Sequence, residues 1–443
     1  SAPAGDEAAA ARATRWIAEA GWARIASSPP GLRRDAGALG AGAAGIVLVA
    51  DPSVDLHAAR RGPVLVAVID DPAVWSDCDW LDDVDLVATP DEATAAAVGA
   101  RRAIVPQVIG NGTDLVAALR RWASGLRLGI AVGIPSWAVA KAWGDLHFAR
   151  DLQRQLERRG IATRVHLLPD WADPVAARDD VVIHVFGLSV RQPLPGQRTI
   201  LWNISHPERV TPAMLDGADQ VYVASDLAAA RFAAQTSTSV APLHQATDAE
   251  RFPVDRTGPA HEILFVGNTR GVRRTAVEWL VPTELDLAIY GAGWEKQPDA
   301  APYVRGQHIP NDDVHRWYGS ARILLNDHWP DMREQGFISN RLYDGLAAGA
   351  FIVTDDVPGL DAEFDDGLVA VGSGGELRWA IQDALADEPR RRATAERGRQ
   401  AVLARHTFGH RIESILADLR RETGRAFEPS RGGVAGMTGA VAG

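Results

Sequence analysis

The sequence predicts an α/β protein built on parallel sheets and divided into three folded parts. Two observations predict this. Short apolar runs recur from end to end, each followed by helical periodicity, and strands buried on both faces that alternate with helices build parallel sheets. The chain is also 443 residues long, more than one ordinary α/β domain holds, and 46% of it is hydrophobic, enough for large cores.

In the first third, GIVLVAD (45–51), VLVAVIDDP (64–72), VDLVATPDE (84–92) and AIVPQVI (103–109) predict four strands. The middle third begins with LRLGIAVG (126–133). Its helix, FARDLQRQLERRG, sets Phe148, Leu152 and Leu156 on one stripe and ends at Gly160, a good residue just past a helix end. TRVHLLP, DVVIHVFG, TILWNIS and QVYVAS predict the strands that follow. The last third supplies ILFVGN (263–268), LDLAIYG (285–291), ARILLND (321–327), FIVTDD (351–356) and LVAVG (368–372). Pro and Gly punctuate the pattern near Gly125 and at 253–260, which predicts parts at 1–125, 126–256 and 257–424. The Gly-rich stretch 425–443 is expected to be a disordered tail. The order VLVAVIDDP, VDLVATPDE, AIVPQVI parallels TILWNIS, QVYVAS, VAPLHQATD, so the first part reads as a truncated copy of the second.

The formal net charge is −11 with a sequence pI near 5.6, which argues against a dedicated nucleic-acid binder, whose affinity rests on phosphate contacts. Lys141 and Lys296 are the only lysines among 46 basic residues, so nearly all the positive charge is arginine, the better fork for phosphate. Cys78 is the only cysteine, which excludes an intrachain disulfide framework and a cysteine zinc cluster and points to a reducing, cytoplasmic compartment. No apolar run reaches membrane-span length, and the first residues lack the apolar stretch of a signal peptide. RRWASGLR (120–127) offers peripheral contact with the inner face of a membrane, though its shortness favours a domain connection. A start at Ser1 rather than Met suggests a piece of a longer multidomain chain.

Two stretches carry chemistry. In LLNDHWPDMREQGFISNRLYDGLAAGAFIVTDD (324–356) a strand ends in Asn-Asp-His, a polar loop follows, and Ser339 and Asn340 suit the start of a helix. Arg341 then falls in the first turn, where a basic residue opposes the helix dipole and a bound anion would compensate. In FVGNTRGVRRTAVEWL (265–280) a strand runs into Gly267 and Asn268, and Arg270, Arg273 and Arg274 surround the next turn. Three guanidinium groups at a strand's carboxyl end suit a diphosphate; a solvated basic turn is the competing reading.

VGNTRGVRR, IYGAGW, the block NDHWPDMREQGFISNRLYDGLAAG and SGGELRWAIQDAL resemble the nucleotide-sugar half of GT-B glycosyltransferases, in particular the bacterial spore-maturation-type group. WGDLHFARDLQRQLERRG and ILWNISHPERV resemble that group's acceptor half, so the resemblance spans roughly 126–420. It implies two Rossmann-like domains facing a cleft, preceded by an accessory α/β domain, and transfer of a sugar from a nucleoside-diphosphate donor (UDP, GDP or dTDP) to a hydroxyl of a glycan or lipid-linked glycan, with no obligatory metal. Arg270 and Arg274 would hold the diphosphate with the N–H groups around Ser339, Asn340 and Arg341. Asp344 would meet the ribose and Glu334 the donor sugar, near Gly336 and Phe337. Nine residues separate these two acids where the family commonly has seven, and the second is aspartate instead of glutamate. Tyr290, Gly291, Trp294, His308 and Ile309 would line the base pocket, partly through backbone. Asn326 and His328 would face the donor from a strand end.

Asp145 and His147, at a helix start after a strand, and His206, at another strand end, are the candidates for a general base. The competing readings are a helix-start carboxylate and structural turn histidines. His184 in VVIHVFG reads as a buried strand histidine. Asp77/Asp79 and Asp83/Asp85 spell Asp-x-Asp, which reads as a solvated acidic loop instead of a metal site. Gly291-Ala-Gly293 lacks the third glycine of a dinucleotide fingerprint. An epimerase or hydrolase of the nucleotide sugar and a non-catalytic binding subunit are the alternative functions.

Overall fold

The computed structural model describes residues 6–20, 46–52, 64–269 and 271–423. The expected tail at 425–443 lies outside the described residues. The chain divides into two compact units, one of residues 1–185, 189–200 and 416–443, the other of 186–188 and 201–415.

Sixteen strands form three sheets among the described residues. The first is four-stranded, β1 (Ile46–Val49), β2 (Val64–Val68), β3 (Leu86–Thr89) and β4 (Gln107–Val108), in the order β1-β2-β3-β4 with every pair parallel. The second holds β5 (Arg127–Val132), β6 (Ala162–His166), β7 (Val181–Phe186), β8 (Arg198–Asn203), β9 (Gln220–Val223) and β10 (Val240–Pro242), in the order β10-β9-β8-β7-β5-β6. β2-β3-β4 and β8-β9-β10 have the same sequential neighbour order.

The third sheet comprises β11 (Ile263–Val266), β12 (Leu287–Tyr290), β13 (Val304–Gly306), β14 (Ile323–Leu325), β15 (Ile352–Asp355) and β16 (Val369–Val371). Its order, β13-β12-β11-β14-β15-β16, is all parallel and reverses direction between β11 and β14. Both faces are covered, which is why its strands read as continuous apolar runs. Leu264 packs with Leu342, Leu346 and Ile352 on one face, while Ile263 and Phe265 pack with Val277, Leu280 and Ile381 on the other, the two-residue alternation of a strand. β13 escapes the sequence reading because three half-buried or exposed residues at a sheet edge leave no apolar run.

In the first unit, helix Gly144–Arg158 buries Phe148, Leu152 and Leu156 as its spacing predicts, and Gly160 beyond it has φ +76°. The Asp-x-Asp reading is corrected for Asp83 and Asp85. Asp83 and Asp85 are 3% exposed and meet Arg150 and Arg164, both Arg150 bonds to Asp83 being 2.9 Å long. They are ion-pair partners of the helix and of β6, not a solvated loop, whereas Asp77 and Asp79, the latter against Lys141 at 2.8 Å, are both exposed. His184 is buried as expected. Its Nε2 donates to the Ser189 carbonyl at 3.1 Å, and burial holds the imidazole pKa down at about 4.

Candidate functional site

In an open parallel sheet the crevice forms outside the carboxyl ends of the strands where the order reverses. In the third sheet that point lies between Val266 at the end of β11 and Leu325 at the end of β14. The residues that follow these two ends are Gly267-Asn268 and Asn326-Asp327-His328.

Phe265, fully buried, is the platform. Arg274 lies over its ring at 5.2 Å and Arg341 at 5.5 Å from the centroid, so two guanidinium groups share one aromatic face or edge region. Arg274 is 5% exposed and bonded through all three nitrogens: Nε donates to Asp327 at 2.8 Å, Nη1 to the Asn268 carbonyl at 3.1 Å, and Nη2 to the Asp327 side chain and carbonyl. Asp327 also accepts the Ala276 N–H at 3.2 Å, which anchors helix Thr275–Leu280. Arg341 has a neutral partner instead, the Asn326 side-chain oxygen. Burial is the largest influence on its guanidinium and lowers its proton affinity from the ordinary value, and the nearby charge of Arg274 lowers it further. The same buried setting pushes the Tyr318 phenol up to about 12.

The helix start differs from its sequence reading. Ser339 occupies the cap position of helix Asn340–Ala347, but its side chain makes no capping bond. Its N–H instead donates to His328 Nε2 at 2.9 Å, and Asn340 turns to Asp344, Nδ2 to Oδ2 at 2.8 Å. His328 is 5% exposed and Asn326 is fully buried. Asn326 Nδ2 donates to Thr354 Oγ1 at 2.9 Å. Both stand at the strand end as expected, with their polar atoms committed to the scaffold.

Other expected residues separate into two groups. Arg273 is exposed and turns to Glu278 at 2.6 Å, so it does not join Arg274. Trp294 is 2% exposed, sits edge-on to Phe265 and donates to the Gly267 carbonyl at 2.9 Å; it is a core ring, not an open face for a base. Ile309 and Phe337 are likewise buried. Tyr290 is half-buried beside Trp317, His308 and Asn268 are exposed, and the Asn268 side chain accepts the Ala292 N–H at 2.7 Å. Gly291 has φ +150°, and a Cβ there would lie 2.2 Å from the Gly267 carbonyl oxygen, so glycine is required for this close approach. Gly336 has φ +73°, Glu334 is exposed at the end of helix Pro330–Glu334, and Asp344 is half-buried. Arg270 lies outside the described residues.

The loop before helix Asn340–Ala347 is tied to the ends of the second sheet. Ser225 Oγ donates to the Gln335 carbonyl at 2.6 Å, and Gln245 Nε2 donates to the carbonyls of Ile204 (3.1 Å) and Ile338 (3.3 Å). His206, with φ +53°, follows β8. Its Nδ1 is 3.3 Å from Glu208 Oε1, and ligand atoms of His206, Glu208 and Asp331 all lie within 4.8 Å of one another. Asp331 begins just past the β14 loop, and sequence reasoning missed it, as it missed the contribution of Glu208. The signal was the acidic residue in WPDMRE, two residues from Trp329. Asp145 and His147 belong to the other compact unit. Asp145 is in the first turn of helix Gly144–Arg158, and His147 Nε2 is 3.1 Å from the Lys141 carbonyl.

Residues 272–417 match a family model described as glycosyl transferase-like. Among curated protein sequences none matches the chain significantly. Sucrose-phosphate synthase from Thermosynechococcus elongatus is similar in structure, with TM-score 0.51 and 15% identity over 67% of this chain and 99% of that one. The N-terminal domain of trehalose-6-phosphate phosphatase from Candida albicans has TM-score 0.50 and 11% identity over 68% and 97%. HepE from Anabaena, solved in complex with UDP-glucose, has TM-score 0.47 and 11% identity over 67% and 100%. The architecture is the GT-B fold, and its 272–417 segment is glycosyl transferase-like in sequence. Among the described residues no helix is long and apolar enough to cross a membrane.

Proposed function

We propose that this chain transfers a sugar from a nucleoside-diphosphate donor to a hydroxyl of a bacterial glycan or lipid-linked glycan, working on the cytoplasmic side. The observation that carries the reading is the convergence of Arg274 and Arg341 on Phe265 at the point where the third sheet reverses. The two arginines divide the work. Arg274 is neutralised by Asp327 and shapes the loop, whereas Arg341, held by the neutral Asn326 amide and Tyr318 hydroxyl, is the diphosphate ligand. A buried cation without a carboxylate partner gains most from an incoming anion.

In the reaction the glycosidic bond between the sugar and the diphosphate breaks and the diphosphate leaves with the bonding electrons. Arg341 and the N–H groups that begin helix Asn340–Ala347 stabilise that growing charge. His206 takes the proton of the attacking hydroxyl, and Glu208 at 3.3 Å stabilises the imidazolium so formed. Asp344, one turn into the helix, is the ribose ligand.

Calorimetric titration with UDP, GDP and dTDP tests the reading. At least one should bind, and Arg341→Ala should weaken it by about tenfold or more, the scale of a lost charge-assisted contact. His206→Ala should spare binding and abolish transfer. Failure of all three nucleotides to bind would refute the donor assignment.

A further inference from the structure

At the other end of the third sheet, just before β14 and β15, a cavity of about 260 Å³ is lined by Arg256, Arg322, Arg391 and Arg392 together with Ser320 and Glu388. We propose that this cavity is a second anion site, for a phosphate group, separate from the donor site.

The charges do not balance without a ligand. Arg392 meets Glu388 at 2.5 Å and Arg322 lies 3.6 Å from Glu262, but among the described residues neither Arg256 nor Arg391 has an ion-pair partner. Arg391 is 9% exposed and donates only to the Ala384 carbonyl, at 2.6 Å. Burial is the largest influence and pushes its guanidinium below the ordinary value; Glu388 opposes this, and the like charges of Arg322 and Arg392 lower it further.

The backbone adds to the mismatch. Arg390, Arg391 and Arg392 occupy the first turns of the 18-residue helix Glu388–Arg405, at the positive end of its dipole. Basic side chains there are unfavourable, and an anion converts that repulsion into attraction. Ser320 Oγ, also on the cavity wall, is buried and has no hydrogen-bond partner. A buried hydroxyl left unpaired is uncommon, and this one can donate to a bound oxygen. Forked guanidinium groups plus a hydroxyl are the donor set of a phosphate site. The cavity has room for a phosphoryl group carrying a small organic part, so the same chemistry fits a soluble phosphorylated compound or a lipid phosphate headgroup.

The test is calorimetric titration of the whole chain with inorganic pyrophosphate, alongside flotation with vesicles containing phosphatidic acid. Arg256→Ala/Arg322→Ala removes two exposed side chains and should weaken cavity binding by at least about tenfold. Ser320→Ala leaves every charge in place and should weaken it by a few fold. Arg341→Ala should leave the cavity's binding unchanged, so failure of the donor site and failure of this one appear in different variants. Loss of vesicle binding in the double variant identifies a headgroup; loss of pyrophosphate binding alone identifies a soluble ligand. Equal binding of both probes by the double variant and the unaltered chain overturns the proposal.

Discussion

His328 Nδ1 lies 2.6 Å from the Asp355 carboxylate, and this contact fixes which ring nitrogen carries the proton. Nε2 accepts the Ser339 N–H, so it holds a lone pair, and the hydrogen must sit on Nδ1, donated to Asp355. The ring therefore joins the end of β15 to the start of the helix that presents Arg341.

Asp355→Asn should break this arrangement. The ring N–H and the His328 backbone N–H both reach Oδ1, and the backbone N–H also reaches Oδ2 at 3.2 Å; in the amide one of these oxygens becomes an NH2 that cannot accept, and the negative charge facing the ring N–H is lost. The expected loss is about 1–3 kcal/mol of stability in urea denaturation, together with weaker nucleoside-diphosphate binding because the helix start is no longer held. Unchanged binding would show that Arg341 is positioned without His328.

Gly267 and Gly291 should respond differently to alanine. A Cβ on Gly267 would lie 2.9 Å from Arg341 Nη2, the free end of a long side chain, which can shift. Gly267→Ala should cost little stability and weaken diphosphate binding by about tenfold. At Gly291 the obstacle is the Gly267 backbone at 2.2 Å, and φ is +150°, so Gly291→Ala should cost at least about 2 kcal/mol in the same denaturation assay.

The third sheet and the strand-end loops were legible because ILFV and LAIY are continuous apolar runs and Phe351-Ile352-Val353 leads β15, all buried on both faces. Arg341 was legible for a second reason: a basic residue in a first helical turn is a local anomaly. The different pairing of Arg274 and Arg341 was not legible, because it depends on Asp327, 53 residues from Arg274 in sequence. His206 was visible as a strand-end histidine, but its neighbour Asp331 comes from a distant segment, and local patterning carries no signal for such a meeting. Asp83 and Asp85 misled for the same reason: a short acidic run looks solvated until the arginines that bury it are placed.

The buried ion pair of the first unit yields a stability prediction. Asp83→Asn leaves the Arg150 guanidinium facing an amide in a nearly closed site, with Gln153 Oε1 at 2.8 Å as its remaining side-chain acceptor. Removing one partner of such a pair costs about 3–5 kcal/mol, whereas replacing both by apolar residues costs much less. A denaturation cycle with Asp83→Leu, Arg150→Leu and the double variant should therefore show the double variant more stable than either single one.

His184 supplies a pH dependence whose sign follows from burial. Its imidazole is held near 4 in the fold, below the ordinary histidine value of 6.5, because the charged form would lose its water beside Trp171, whose ring is 5.3 Å away. Between these two values the unfolded chain binds the proton and the folded chain does not, so acid favours unfolding. The stabilisation is complete above about pH 6.5 and is lost progressively as pH falls toward 4. His184→Gln can keep a donor for the Ser189 carbonyl but cannot titrate. Urea denaturation of the two proteins should then show the unaltered chain losing about 1–2 kcal/mol more than His184→Gln between pH 6.5 and 5. A stability difference that stays constant across that range would mean that the imidazole takes up its proton without leaving the fold.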